Sequence, residues 1–167
     1  VYNRLLEQSQ DKIILHWLGE MFDPALTGYW GSPDFAAAAD TVLEIIANNV
    51  DKVEGIKISL LSKEKEVAFR KRLPSQVKMY TGDDFNYPEL IAGEDGYYSH
   101  ALLGIFDAIA PVAAAALNEL AQGNSGEYYR LMNPTVALSR EIFKAPTQYY
   151  KAGIVFLAWL NGHQSHF

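Results

Sequence analysis

Apolar positions along the chain change period several times, and each change predicts an element. Lys12-Ile13-Ile14-Leu15-His16-Trp17-Leu18-Gly19 is an apolar run with almost no polar alternation, the pattern of a strand covered on both faces, as in a parallel sheet. Ahead of it, Val1 to Gln10 carries Val1, Leu5 and Leu6 at the spacing of the tail of an amphipathic helix. Behind it, Glu20 to Gly31 holds Asp23-Pro24, Thr27-Gly28 and Trp30-Gly31 as breakers, and predicts a long, aromatic loop of the kind that binds ligands. Ser32-Pro33-Asp34 supplies a cap, a first-turn proline and a first-turn acid. From there Phe35, Ala38, Val42, Ile45 and Ile46 form one helical stripe ending near Asn48-Asn49.

The second strand, Gly55-Ile56-Lys57-Ile58-Ser59-Leu60-Leu61, is organised differently. Ile56, Ile58 and Leu60 share one face, while Gly55, Lys57 and Ser59 share the other, so a greasy face backs two small residues and an amine. Ser62 then caps a helix carrying Val67, Phe69 and Leu73 up to Pro74. Val77 to Thr81 predicts a third strand broken by Gly82-Asp83-Asp84, and Phe85 to Ala92 a short helix closed by Gly93. Gly96 to Leu103 predicts a fourth strand and Gly104 to Ala110 a loop, after which Pro111 opens an alanine-rich helix that ends at Gly123. Ser125 to Lys144 and Thr147 to Leu160 predict two more helices. Strands alternating with helices imply right-handed βαβ units, a parallel sheet and an α/β fold. A doubly wound sheet and a (β/α)8 barrel both satisfy the order, although four strands cannot close a barrel of about 250 residues.

Composition narrows the function classes. The 167 residues make a single domain, 1–167, and a net charge of -6 gives no electrostatic footprint for nucleic acid or an acidic membrane face. With no cysteine, disulfides, thiolate metal sites and cysteine nucleophiles are excluded. The longest apolar run, Gly153 to Leu160, is far shorter than the roughly 20 residues of a bilayer span, and no signal peptide is visible, so the expectation is a cytoplasmic protein without membrane partners. Val1 and Phe167 both read as cut ends.

Ligands of parallel α/β folds lie at the carboxyl ends of the strands. The polar residues predicted there are His16 and Glu20, Lys57 and Ser59, Asp83 and Asp84, and Ser99 and His100. A desolvated lysine loses its proton more readily and, as a free amine, attacks a carbonyl to form a Schiff base, which makes Lys57 a catalytic candidate. Each residue also has a plainer reading: Lys57 snorkelling from an edge strand, Asp83 or Asp84 capping a helix, His100 satisfied in the core. A metal site drawn from His16, Asp23, His100 and His163/His166 is the rival constellation, with His163 and His166 also readable as a solvated tail.

Several stretches resemble a known family. Val53-Glu54-Gly55-Ile56-Lys57, then Thr81-Gly82-Asp83-Asp84, then Gly96-Tyr97-Tyr98-Ser99 are similar to the second half of the dihydrodipicolinate synthase and N-acetylneuraminate lyase family. His16-Trp17-Leu18-Gly19, Gly82 to Tyr87 and Trp159 to His163 resemble a dihydrodipicolinate-synthase-related branch of it, and the likeness spans nearly the whole chain. The resemblance implies an aldolase-type (β/α)8 TIM barrel of which this chain supplies strands five to eight and the trailing helices, the family's earlier half being absent. It puts Lys57 on the Schiff-base lysine and Gly82-Asp83-Asp84 on the loop after strand seven. Two departures stand out. His16 occupies the position of the family's proton-shuttling tyrosine, and the arginine of dihydrodipicolinate synthases has no counterpart among Leu18 to Phe22.

The resulting expectation is a class I aldolase or lyase acting on a 2-oxo acid or sugar-acid carbonyl, without a cofactor. Lys57 and His16 would be catalytic, and Gly82, Asp84, Ser99 and His100 would bind substrate. The alternatives are a divalent-metal isomerase or aldolase using His16, Asp84 and His100, and a non-catalytic binding or assembly subunit. Open strand edges recruit partners, so either a homo-oligomer or completion by the missing half is expected.

Overall fold

A computed structural model describes residues 1–167. The first strand, β1 (Ile13–Leu18), follows a short helix, α1 (Tyr2–Gln8). Next come α2 (Phe35–Ala47), β2 (Val53–Ser59), α3 (Lys63–Arg70), β3 (Lys78–Thr81), α4 (Tyr87–Ala92) and β4 (His100–Ala101). Four helices trail the sheet: α5 (Phe106–Ala121), α6 (Ser125–Met132), α7 (Thr135–Ile142) and α8 (Tyr150–Leu160). The fold is α/β, with a parallel sheet in the order β1-β2-β3-β4 and no reversal of strand order.

The two faces of the sheet differ. Leu15, Trp17, Ile56, Ile58 and Met79 point to one side and pack with Leu6 of α1, Ala38, Ala39, Val42 and Ile46 of α2 and Phe69 of α3 in a continuous core. On the other side the register lines up His16, Lys57, Tyr80 and His100 in one row across all four strands. None of these four is fully buried, and the neighbouring Ile14 is 42% exposed. Side chains on a strand alternate between faces, so the helix-covered face fixes which residues stand in the open row. A second core joins Tyr87, Ile91, Leu103, Ile105, Tyr128, Met132 and Phe143, and it anchors the trailing helices at the end of the sheet.

Four expectations are corrected. Asp34, not Ser32, caps α2: its carboxylate accepts from Ala37 N at 2.9 Å, while the Ser32 hydroxyl accepts from Asp34 N. The fourth strand is two residues long, because Tyr97 and Tyr98 are taken up in a turn with left-handed backbone at Gly93, Asp95 and Gly96 and a Glu94–Tyr97 bridge. Helix α5 begins at Phe106 and is broken at Ile109 (φ -125°, ψ 21°), ahead of Pro111, which has no N–H to donate and crowds the preceding turn. The predicted helix from Ser125 to Lys144 is two helices, α6 and α7, parted at Asn133-Pro134.

Candidate functional site

A pocket of about 330 Å³ opens at the carboxyl ends of β1, β2 and β3. It brings together four of the six residues expected at the site, His16, Lys57, Gly82 and Asp84, with Ser59 beside them. The sequence positions Lys57 through its neighbours: Ile56 and Ile58, both fully buried, tie β2 to the helix side and leave the lysine on the opposite side, half-buried. Its aliphatic stem then lies across Gly82. A methyl group at Gly82 would sit 2.6 Å from Lys57 Cε and overlap the Ser59 hydroxyl, so any larger residue there displaces the amine.

His16 stands beside this amine in the register, and its Nε2 lies 3.0 Å from Ser59 Oγ. Asp84 forms the far wall, almost wholly buried, with one carboxylate oxygen accepting from Ile105 N at 2.8 Å. Asp84 O accepts from the Ser139 hydroxyl, which fixes the loop to α7. Asp83 has a different task. Its carboxylate accepts from Phe85 N, Asn86 N and the Asn86 amide at 2.8 to 2.9 Å, so it shapes the turn ahead of α4 and is not the helix cap, the cap position being Asn86.

Burial and charge tune the three ionisable groups together. The Lys57 ammonium is held below its ordinary value, first by burial, with the Asp84 charge pulling the other way. Burial pushes the Asp84 carboxyl up to about 7, against the Ile105 N–H and the Lys57 charge. The His16 imidazole is lowered, first by lost hydration against the sheet and then by Lys57, so it is neutral at pH 7. A lysine that gives up its proton more readily than usual, a carboxyl brought to about 7 and a neutral imidazole around one small space can attack a carbonyl and move the protons that the attack requires.

Ser99 and His100 do not join this group. Ser99 precedes β4, is fully buried on the helix-covered side, donates to Glu66 Oε1 at 2.7 Å and accepts from Arg70 Nη1 at 3.3 Å. His100 shares the row of Lys57, but Tyr80 stands between them with its ring 5.4 Å from the imidazole. The cause is facing and spacing: Ser99 turns to the α3 side of the sheet, and His100, level with Lys57 in the register, lies two strands away from it. No group of three or more His, Cys, Asp or Glu side chains is gathered to hold a metal ion, and Asp23 is occupied as a cap on Ala25 N.

Two features carry no local signal in the sequence. The other wall of the pocket is built by Phe22, Phe143, Tyr150, Gln148 and Lys151, brought in from the first loop and the start of α8. Behind the sheet, Glu66 accepts from Thr81 Oγ1 at 3.0 Å as well as from Ser99, and Thr81 Oγ1 in turn accepts from Asp83 N at 3.1 Å. This chain of bonds ties α3 through β3 to the loop that carries Gly82 and Asp84. Residues 1–167 match the family described as "Protein of unknown function (DUF993)". No curated protein matches the sequence.

Proposed function

The chain belongs to the DUF993 family, and from that premise we propose that the Lys57 pocket is the active site of a Schiff-base-forming aldolase or lyase acting on a 2-oxo acid or sugar-acid-type carbonyl. The observation that carries the reading is a half-buried lysine with a lowered proton affinity, laid over Gly82 at the carboxyl ends of parallel strands, with Asp84 and His16 on either side. The finer fold belongs to the same proposal. Four parallel strands in sequential order, with a polar row on the uncovered face, are what strands five to eight of a (β/α)8 barrel look like. Four further strands along the free edges of β1 and β4 would close the ring and dry the amine further. A dihydrodipicolinate-synthase-related ancestry fits this geometry, with His16 in the position of the family's tyrosine.

The chemistry uses the free-amine form of Lys57, which burial favours. The neutral Lys57 amine adds to the ketone carbon, and the carbonyl π pair moves to oxygen, which takes the Asp84 proton. The new ammonium passes a proton to His16. His16 gives that proton to the hydroxyl, which departs as water and leaves the iminium. The bond between the α and β carbons then breaks, its electron pair forms the enamine double bond as the iminium π pair moves to nitrogen, and the β-hydroxyl gives its proton to His16 as that fragment leaves as a carbonyl compound. Protonation of the enamine carbon and hydrolysis then return the ketone and the free amine. Ser59, bonded to His16, orients the imidazole and does not itself react.

Treating the intact protein with pyruvate and borohydride tests the reading. The expected result is a reduced adduct found by peptide mass mapping at Lys57 and absent from Lys57→Met. Wild-type protein that gains no adduct, or gains one at other lysines only, overturns it.

A further inference from the structure

The start of α8 is clamped over the pocket. The Tyr150 ring stacks on Phe143, with centroids 4.7 Å apart and planes 16° from parallel, and meets Phe22 edge-on at 6.1 Å. Gly104 makes room for the stack, since a methyl group there would sit 2.9 Å from the Phe143 ring. The buried Thr147 hydroxyl donates to Phe143 O at 3.1 Å and holds the same turn from below. Gln148 and Lys151, three residues apart, are thereby set on the rim of the pocket, both solvent-accessible. Asp84 and Ser59, both buried, line the same pocket with Lys57.

The Lys151 ammonium has no partner in the chain. Lys63, Arg72, Lys78, Arg130 and Lys144 pair with carboxylates, and the other nine of the 14 basic side chains make no ion pair. Of those nine, Lys57 and Lys151 line the candidate pocket, and Lys151 and the Gln148 amide beside it, neither making a side-chain hydrogen bond, are donors free to take an anion. Lys57 lines the same pocket, so that anion belongs to the molecule whose carbonyl the amine attacks.

We infer that Lys151 and Gln148 form an acid-recognition element, and that the substrate of this pocket carries a carboxylate or phosphate besides the carbonyl that meets Lys57. The inference rests on the Lys57 pocket being the site, and it names the feature of the substrate that the amine does not read. Lysine and a neutral amide suit either anion: the ammonium supplies the charge, the amide one oriented donor.

Probes without a carbonyl separate this inference from the Schiff-base reading. Binding of glutarate, of glycerol 3-phosphate and of uncharged glutaramide to the intact protein is measured by titration calorimetry. Wild-type protein is expected to bind one of the two anions, the preferred one identifying the group, and to bind glutaramide far more weakly. Lys151→Met should weaken anion binding about tenfold or more, the size expected for one hydrogen bond to a charged group. Lys151→Arg should restore it to within about threefold, and Gln148→Ala should cost a smaller factor than Lys151→Met. Lys57→Met should bind the anion and fail to trap pyruvate. If neither anion binds, or Lys151→Met binds it as tightly as wild type, the acid-recognition element falls whatever the trapping shows. If trapping fails at Lys57 while anion binding depends on Lys151, the aldolase reading falls and the element stands.

Discussion

Two buried carboxylates, Asp84 and Glu66, lie on opposite sides of the sheet, and both are pushed up to about 7 chiefly by burial. What surrounds them differs. Asp84 borders an open pocket, gives one oxygen to a backbone N–H and faces the lysine across it. Glu66 is sealed between α3 and the sheet, with both oxygens taken by the Ser99 and Thr81 hydroxyls and Arg70 beyond them. A raised carboxyl therefore marks chemistry only where there is space for a reactant and a second ionisable group to exchange with. Where both oxygens are already bonded and no reactant can enter, the same shift marks a structural joint. Glu66 still serves the site at a distance, since Thr81 hands its bond on to the Asp83 backbone and so steadies the loop carrying Asp84.

The largest effect expected is on the site side. Lys57→Met removes the nucleophile, so turnover and the borohydride adduct should both vanish while thermal stability holds or rises, because a half-buried ammonium has been exchanged for an apolar chain of similar length. A residual adduct at the same peptide in the variant would contradict this. Next comes Asp84→Asn, which keeps an acceptor for Ile105 N–H but cannot exchange a proton. Turnover should drop about 100-fold or more, as is usual for a lost acid–base group. Glu66→Gln, on the other side, should leave turnover within a few-fold. Equal losses in the two variants would erase the distinction between the carboxylates.

Much of this arrangement is legible in the sequence, and the illegible part has a physical pattern. The apolar run from Ile13 to Leu18 and the alternation around Lys57 report strand faces directly, because alternation is a local property of the backbone. Ser62 is visible as a cap for the same reason, and its hydroxyl accepts from Lys65 N. The fourth strand is misread because Tyr97 and Tyr98, good strand formers, are overruled by the left-handed turn at Gly93 to Gly96. The shortened strand leaves Ser99 outside it, facing α3, and His100 level with Lys57 but two strands away. Glu66 and Arg70 look like the solvated side of α3, since nothing near them in the chain announces Ser99 and Leu90 as partners. The pocket wall at Gln148, Tyr150 and Lys151 is invisible for the most general reason, being set by how α8 docks on Phe143.

pH gives a finer comparison of the same pair. For Glu66 the ordinary value is 4.5 and the folded value about 7, so between those limits the folded chain holds a proton that the unfolded chain has released. Its contribution to stability is therefore fully present below about 4.5 and is lost as pH rises to about 7, a fall of about 3 kcal/mol for this group. Asp84 adds a fall of the same sign from 3.8 to about 7. Chemical denaturation from pH 4 to 8 should show the decline in wild type, and each of Glu66→Gln and Asp84→Asn should flatten part of it. Only Asp84→Asn should also remove the limb near pH 7 from the pH–rate profile. A rate profile altered by Glu66→Gln would make the sealed carboxyl part of the proton chemistry.

The smallest effect expected falls on Ser99, and it is the sharpest test of where the boundary of the site lies. Ser99→Ala takes the only donor from Glu66 Oε1, while Oε2 keeps the Thr81 hydroxyl and Arg70 Nη1 keeps the Leu90 carbonyl. The cost should be about 1–2 kcal/mol of stability, read from denaturant midpoints at unchanged slope. The pyruvate concentration that half-saturates adduct formation at Lys57 should not move, since Ser99 sits behind the sheet and touches nothing in the pocket. A half-saturation raised several-fold, with the midpoint unchanged, would mean that β4 runs further toward Tyr97 in solution. That outcome would return Ser99 to a strand end and reopen the Glu66 side of the sheet to substrate.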